Sequence, residues 1–306
     1  MLPAWFLVAL VGHLANGTAF IIDKTLLKSA FKRPATYAGL IGLLGTLAII
    51  LLPFGIHNPT PMGWLWAIVS GMTFIFSLWL FFVALSSGEA SRVVPVIGSL
   101  IPILTLAGTA TFLGERLTTW QMGGFALLII ATLILSGGAV KSRLPRQTIL
   151  IAIAAAAAFA FSSVTAKVAY DLEGFLTTFT ISRLAGVIAA VMLLTIDSRA
   201  LHELLAAIGI KDHKEHRTAK PHAIALVVTA QCLGALGFVA VQYATSLGSA
   251  ALVNALQAVQ YALLVLVAFL LHRLAPKLLG EDLTASTILR KTIAILIVGI
   301  GLGMVV

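Results

Sequence analysis

Apolar residues run along this chain in long blocks, with polar and charged residues gathered between them. The blocks show neither the two-residue alternation of a half-buried strand nor the narrow stripe of a helix lying on a soluble core. Each is about 20 residues long, which is what an α-helix needs to cross a bilayer. The pattern predicts ten such helices, near residues 3–22, 35–54, 62–84, 90–113, 119–138, 148–168, 176–196, 222–245, 249–271 and 287–306. Most connections are short. Ser86-Ser87-Gly88-Glu89 separates the third helix from the fourth, and Thr245-Ser246-Leu247-Gly248-Ser249 the eighth from the ninth. The exception is 197–221, which carries Lys211-Asp212-His213-Lys214-Glu215-His216-Arg217 and reads as a solvated loop.

Landmarks recur along the chain. Lys24 closes the first block and Lys167 the sixth, 143 residues later. Gly88 and Gly248 occupy matching tight turns, 160 residues apart. Gly114-Glu115-Arg116-Leu117-Thr118 returns as Gly280-Glu281-Asp282-Leu283-Thr284, 166 residues on. The offset grows at the 197–221 loop and again near His272–Lys277, both between helices, as a repeat with loop insertions requires. The reading is an all-α integral membrane protein of ten transmembrane helices, in two five-helix repeats spanning 1–140 and 146–306. Five is odd, so the second copy enters the membrane from the opposite face and the repeats are inverted. Inverted repeats recur in secondary transporters, which bind substrate between the halves near the bilayer midplane.

Composition narrows the class. The chain is 60% apolar and only 10% charged over 306 residues. A soluble globule would expose large apolar patches at that content, and disorder needs the opposite composition. With ten helices in place, no room remains for a soluble domain. The net charge of +9 therefore belongs to cytoplasmic loops and anionic headgroups, not to nucleic acid. Cys232 is the one cysteine, so an intramolecular disulfide is excluded. The first apolar run lacks the basic stretch and small-residue cleavage site of a signal peptide, and reads as a retained helix. Seventeen of the twenty Lys and Arg, from Lys24 to Lys291, fall in connections after odd-numbered helices; the other side holds Arg116 and Lys167. The positive-inside rule then places both termini outside the cytoplasm.

Polar groups inside hydrocarbon are costly unless satisfied, so those within the blocks are the candidates for function. His13 and Asn16 share one face of the first helix, continued by Phe20. Gln231, Phe238 and Gln242 form a stripe on the eighth. Asn254, Gln257, Gln260 and Tyr261 fill an arc of roughly 120° on the ninth. That many amides exceeds what helix-to-helix contact needs and points to a polar cavity. Trp79, with Thr73 and Ser77, adds a weaker signal on the third helix. Arg183 lies well inside the seventh, where a guanidinium must find a partner, snorkel, or hold an anion. Substrate binding is thus expected at His13, Asn16, Trp79, Arg183, Gln231, Gln242, Asn254, Gln257, Gln260 and Tyr261. His13 is the group best suited to carry a proton near neutral pH. Lys24 and Lys167 sit where a cation suits a helix C-terminus and read as anchors. Pro95 and Pro102 predict kinks in the fourth helix.

All eleven acidic residues fall at helix ends or in loops. His213, His216 and His222, with Glu215, have loose metal-ligand spacing in a stretch rich in Lys and Arg, and read as a solvated surface. There is no Gly-rich phosphate loop and no nucleophile with a base and an orienting partner, so no enzyme, cofactor or metal is expected.

Several of these features together resemble the drug/metabolite transporter superfamily, in particular its EamA-type ten-helix members. They are Lys24 and Lys167, Arg183, the Ala84-to-Gly88 and Ala244-to-Gly248 turns, Pro102, and the two Gly-Glu-x-Leu-Thr segments. The resemblance covers nearly the whole chain. It departs at Ala262, which stands opposite Pro102, and in the longer loop before Gly280. It implies a metabolite carrier, usually an exporter, with a cavity lined by the first four helices of each half, the fifth and tenth packing peripherally. It also implies termini inside, against the charge count. Small multidrug-resistance relatives exchange protons for cationic drugs at a buried carboxylate. Nothing here corresponds to it, so a neutral, zwitterionic or anionic metabolite is expected. The expected setting is a bacterial inner membrane and the expected partners are that metabolite and the lipid bilayer, with the chain a monomer or homodimer. Alternatives are a lipid or lipid-linked sugar flippase of the same fold, or a non-transporting receptor or scaffold.

Overall fold

A computed structural model describes residues 2–26, 33–88, 90–136, 144–207, 221–271 and 285–306. The described residues are helical, without a strand. Ten segments are long and apolar enough to cross a membrane, and the chain is a multi-pass integral membrane protein. The helices are α1 (Ala4–Leu26), α2 (Pro34–Leu43), α3 (Pro61–Ser87), α4 (Ala90–Phe112), α5 (Thr119–Ser136) and α6 (Arg146–Glu173). They continue with α7 (Phe175–Ile196), α8 (Ser198–Ala207), α9 (Pro221–Leu247), α10 (Ala250–Ala255), α11 (Gln257–Leu271) and α12 (Ala285–Val305). The second span is completed by a 3-10 stretch, Leu44–Phe54, that follows α2 directly. Hydrocarbon thickness sets these lengths, which is why the apolar blocks place them within a few residues.

Three expectations need correction. The segment after the seventh span is not loop throughout: Ser198–Ala207 is helical. Asp197 starts it by accepting the Ala200 N–H at 3.2 Å. Ala200 and Leu204, one turn apart, then bury against Ala35 and Leu194, which holds the turn in place. Residues 208–220, with His213, Glu215 and His216, lie outside the described residues, as do the Gly280–Thr284 segment and the side chains of Lys24 and His222. The ninth span is not one helix but two, α10 and α11, separated at Leu256. Arg290 and Lys291, counted with a connection, sit inside α12, and Lys291 is buried.

The helices form two compact units, each drawing on both halves of the sequence. Unit 1 holds α1, α5 and α9–α12; unit 2 holds α2–α4 and α6–α8. In unit 1, α1 lies along α9 and also meets α11, while α5 packs on α12. Backbones come close at these crossings. A Cβ on Gly12 would press on the Gly237 carbonyl, and one on Gly124 would press on that of Gly301. In lipid, where apolar burial between helices gains little, such small-residue contacts carry association.

In unit 2, α6 packs on α3 and α4, and α7 packs on α2 and α3. Ser70 donates to the Ser162 carbonyl at 3.0 Å and Ser162 to that of Ser70 at 2.9 Å, a reciprocal pair that joins α3 to α6. On α4, Val93 and Ile97 bury against Ala152, Ala155 and Ala156 of α6. Both ends of the unit are tied. At one, Glu203 accepts the Arg33 N–H at 3.2 Å and the Thr36 hydroxyl at 2.6 Å, and Arg33 pairs with Asp197 at 3.5 Å. At the other, Glu173 closes α6 before Gly174, whose φ of 74° suits a residue without Cβ. Its carboxylate accepts His57 Nε2 at 2.8 Å and the Thr60 N–H at 2.9 Å, as well as the Thr60 hydroxyl. Thr177 completes the chain at 3.0 Å from His57 Nδ1.

Candidate substrate site

His13 sits near the middle of α1 and is 5% exposed. Its Nε2 lies 2.9 Å from the Val253 carbonyl on α10. A carbonyl only accepts, so Nε2 carries the proton. Nδ1 is left buried, with no hydrogen-bond partner among the described residues. The ring meets α10 at Val253, three residues before Leu256. Ser249 caps α10 by accepting the Leu252 N–H at 3.1 Å. At Leu256 the winding tightens, with the Val259 N–H donating to the Leu256 carbonyl at 2.9 Å, three residues back rather than four. Neither glycine nor proline marks this point, so the apolar pattern continues across it.

Around His13 the expected polar residues divide. The Gln260 amide is close enough to the ring to interact with it, and its Cγ packs on the Gly17 backbone. Val253, Gln257 and Gln260 recur at helical spacing, so Gln257 shares their side of α10–α11. Its Nε2 donates to the Tyr261 hydroxyl at 3.0 Å. Asn16 sits in the seam with α9, against Gly237, where a Cβ would overlap its side-chain oxygen. Asn254 and Gln242 are half-buried, and Gln231 is exposed. Unit 1 thus joins His13 to Gln260, Gln257 to Tyr261, and Asn16 to the α1–α9 seam. No carboxylate lies in this unit's spans among the described residues. Around His13 the chemistry available is that of neutral hydrogen-bond donors and acceptors, suited to hydroxyl, amide or amine groups.

Trp79 and Arg183 belong to unit 2. Trp79 packs on the apolar cluster of Ala35, Leu194, Ala200 and Leu204, with its ring 5.1 Å from Phe76. Arg183, on α7, holds its guanidinium 4.6 Å from the Phe74 ring and 5.8 Å from that of Phe179, distances at which a cation is attracted to an aromatic face. Lys167 pairs with Asp171 one turn on, at 2.8 Å, as an anchor at a helix end would. Sequence reasoning missed Tyr170 on α6, whose buried ring lies 5.7 Å from that of Phe175, and the His57–Glu173 tie. Tyr170 carries no sequence signal beyond its place on a helix. Glu173 does carry one, standing directly before the glycine that ends a span.

Residues 3–137 match the model of the EamA-like transporter family, a likeness that covers the first five spans. An uncharacterized protein of Methanocaldococcus jannaschii is 41% identical over 71 residues, which is 23% of this chain. The match spans about half of that relative's length, 51%. A protein solved by crystallography is similar over 98% of this chain and 99% of its own, at a TM-score of 0.65 and 17% identity, a likeness of fold.

Proposed function

We propose that the chain is a secondary transporter that moves a small polar metabolite by alternating access, with His13, Asn16, Gln257, Gln260 and Tyr261 contributing to the substrate site. The observation that carries this reading is the buried His13 of α1, held against the Val253 carbonyl of α10 with Gln260 beside its ring. His13 Nδ1, buried and without a hydrogen-bond partner among the described residues, marks where a ligand donor or a proton would be accommodated. We read the halves 1–140 and 146–306 as inverted repeats. Helix pairing supports this: α1 meets α9 and α11 as α6 meets α3 and α4, and α2 with α7 and α5 with α12 are pairs of counterparts. Export from a bacterial cytoplasm is the direction we favour, by family likeness.

The test is a thermal-shift screen of the purified protein against amino acids, organic acids, nucleosides and quaternary amines, since a ligand of the folded state raises its Tm by mass action. For a compound found this way, Gln257→Leu should weaken binding about 5- to 150-fold, or about 1–3 kcal/mol, while the fold persists. If Gln257 serves only to hold helices together, stability falls and affinity in the surviving protein is unchanged.

Orientation follows from the charge asymmetry. Single cysteines placed at 211–217 should resist an impermeant thiol reagent in intact cells and react after permeabilisation, because we place that segment in the cytoplasm. Ready labelling of intact cells would turn the assignment over and put both termini inside.

A further inference from the structure

We infer that the second span is a two-state element: its 3-10 half, Leu44–Phe54, rewinds to α-helix and so draws the connection that carries His57 about 4–5 Å toward α2. Eleven residues is long for this winding, whose hydrogen bonds are poorer than those of an α-helix and which ordinarily runs for about 3–4 residues. Local preference does not impose it, since the same apolar block reads as one continuous helix. Packing imposes it, along one edge. Gly42, Gly45 and Ala48 stand three apart and are all buried. A Cβ on Gly42 would press on Ala190, and one on Gly45 on the Arg183 carbonyl, both of α7. A 3-10 helix has three residues per turn, so it keeps these positions in line against α7.

The other faces of the segment are open, with Leu44, Leu47, Ile49, Ile50 and Leu52 all exposed. An α-helix advances about 100° per residue, so counted from Gly42 it would turn Ala48 about 120° out of the seam and bring Thr46 and Ile49 in. Pro53 would end that helix at Leu52. About nine residues rewound, at a rise of about 1.5 Å instead of about 2.0 Å, shorten the span by about 4–5 Å. The two ends are held differently. At the α2 end Arg33 pairs with Asp197, Thr36 bonds Glu203, and Ala35 is buried against Leu194. The other end passes through Gly55, at a φ of 96° with open space around it, to His57, whose side chain is 54% exposed. The His57 end is the one free to move. A preference for α-helix set against a single packed edge for 3-10 gives one segment two arrangements, the basis of a bistable element.

This inference does not depend on the transport reading, and its test uses different residues. The full-length protein in detergent carries Cys232→Ser, which removes its one native thiol, and spin labels at Phe54→Cys and Arg199→Cys, both exposed and both in unit 2. Pulsed EPR then reads the distance from the far end of the span to α8, which packs beside the α2 end. The otherwise native span should give two distances about 4–5 Å apart. Ala48→Leu places a bulky side chain in the 3-10 seam but outside the α-helical one, and should raise the share of the shorter distance severalfold. Ile49→Trp, at a position exposed in the 3-10 form and inward in the α form, should abolish the shorter distance. Because Ile49 is exposed, this second variant decides the matter even where Ala48→Leu does not fold. One distance common to all these proteins, or two distances whose shares neither substitution moves, would overturn the inference. None of these outcomes bears on Gln257→Leu, which reports on unit 1 alone.

Discussion

Gly71→Ala is expected to prevent unit 2 from assembling. A Cβ at this position would fall on the backbone of Ser182, overlapping its carbonyl oxygen, carbonyl carbon and Cα. A crowded side chain can rotate away, but here the obstacle is main chain held in the middle of α7. The helix would have to shift, carrying Arg183 and Phe179 away from Phe74 and pulling on the Ser70–Ser162 exchange one residue along α3. Overpacking in a core usually costs about 1–3 kcal/mol. Backbone against backbone belongs at or beyond the top of that range, about 4 kcal/mol, which is a large part of a membrane domain's margin. The yield of monodisperse protein should collapse, or Tm should drop sharply. Gly299→Ala is the control, because a Cβ there meets nothing within 4 Å. A Gly71→Ala protein with wild-type Tm would mean that α3 and α7 do not approach as described.

The second large effect is expected at Glu173. Its side chain is 4% exposed and ties the end of α6 to the connection before α3. A carboxylate only accepts, so His57 Nε2 carries a proton, and His57 Nδ1 can still meet the Thr177 hydroxyl as donor or acceptor. Glu173→Ala leaves the Thr60 N–H, the Thr60 hydroxyl and His57 without their acceptor together, and Tm should fall clearly. Gly63 supplies an independent check. A Cβ on Gly63 would overlap the Glu173 carboxyl, so Gly63→Ala should also destabilise by expelling that group. In the double variant the overlap is gone, and the combined loss should be less than the sum of the two single losses. Strictly additive losses would show that the two positions do not meet.

What the chain discloses, and what it hides, follows from the physics of each element. The ten spans were legible because hydrocarbon thickness imposes an apolar length that no other context requires. Helix α8 was hidden because Ala200 and Leu204 are too few to outweigh the polar residues beside them, and their burial depends on Ala35 and Leu194, distant in sequence. The break at Leu256 was hidden because no glycine or proline accompanies it; it shows only where His13 reaches Val253 across 240 residues. Side-chain periodicity gives the face of a helix but not its partner. Sequence therefore grouped His13, Gln257 and Gln260 correctly as polar, without indicating that Trp79 and Arg183 pack in a different unit. Tyr170 was invisible for the same reason, since an aromatic residue in a membrane helix is ordinary until its hydroxyl is seen buried without a partner among the described residues.

The central claim is transport through a polar site in unit 1, and substrate counterflow tests it most directly. Purified protein is reconstituted into liposomes loaded with an unlabelled compound identified by thermal shift, and uptake of the labelled compound from outside is followed. The account predicts saturable counterflow by wild type. For Gln257→Leu it predicts a half-saturating concentration raised about 5- to 150-fold, in protein that remains folded. Binding without counterflow in wild type would contradict it and identify a receptor or scaffold. Counterflow unchanged in Gln257→Leu would leave the protein a carrier but remove its site from α11.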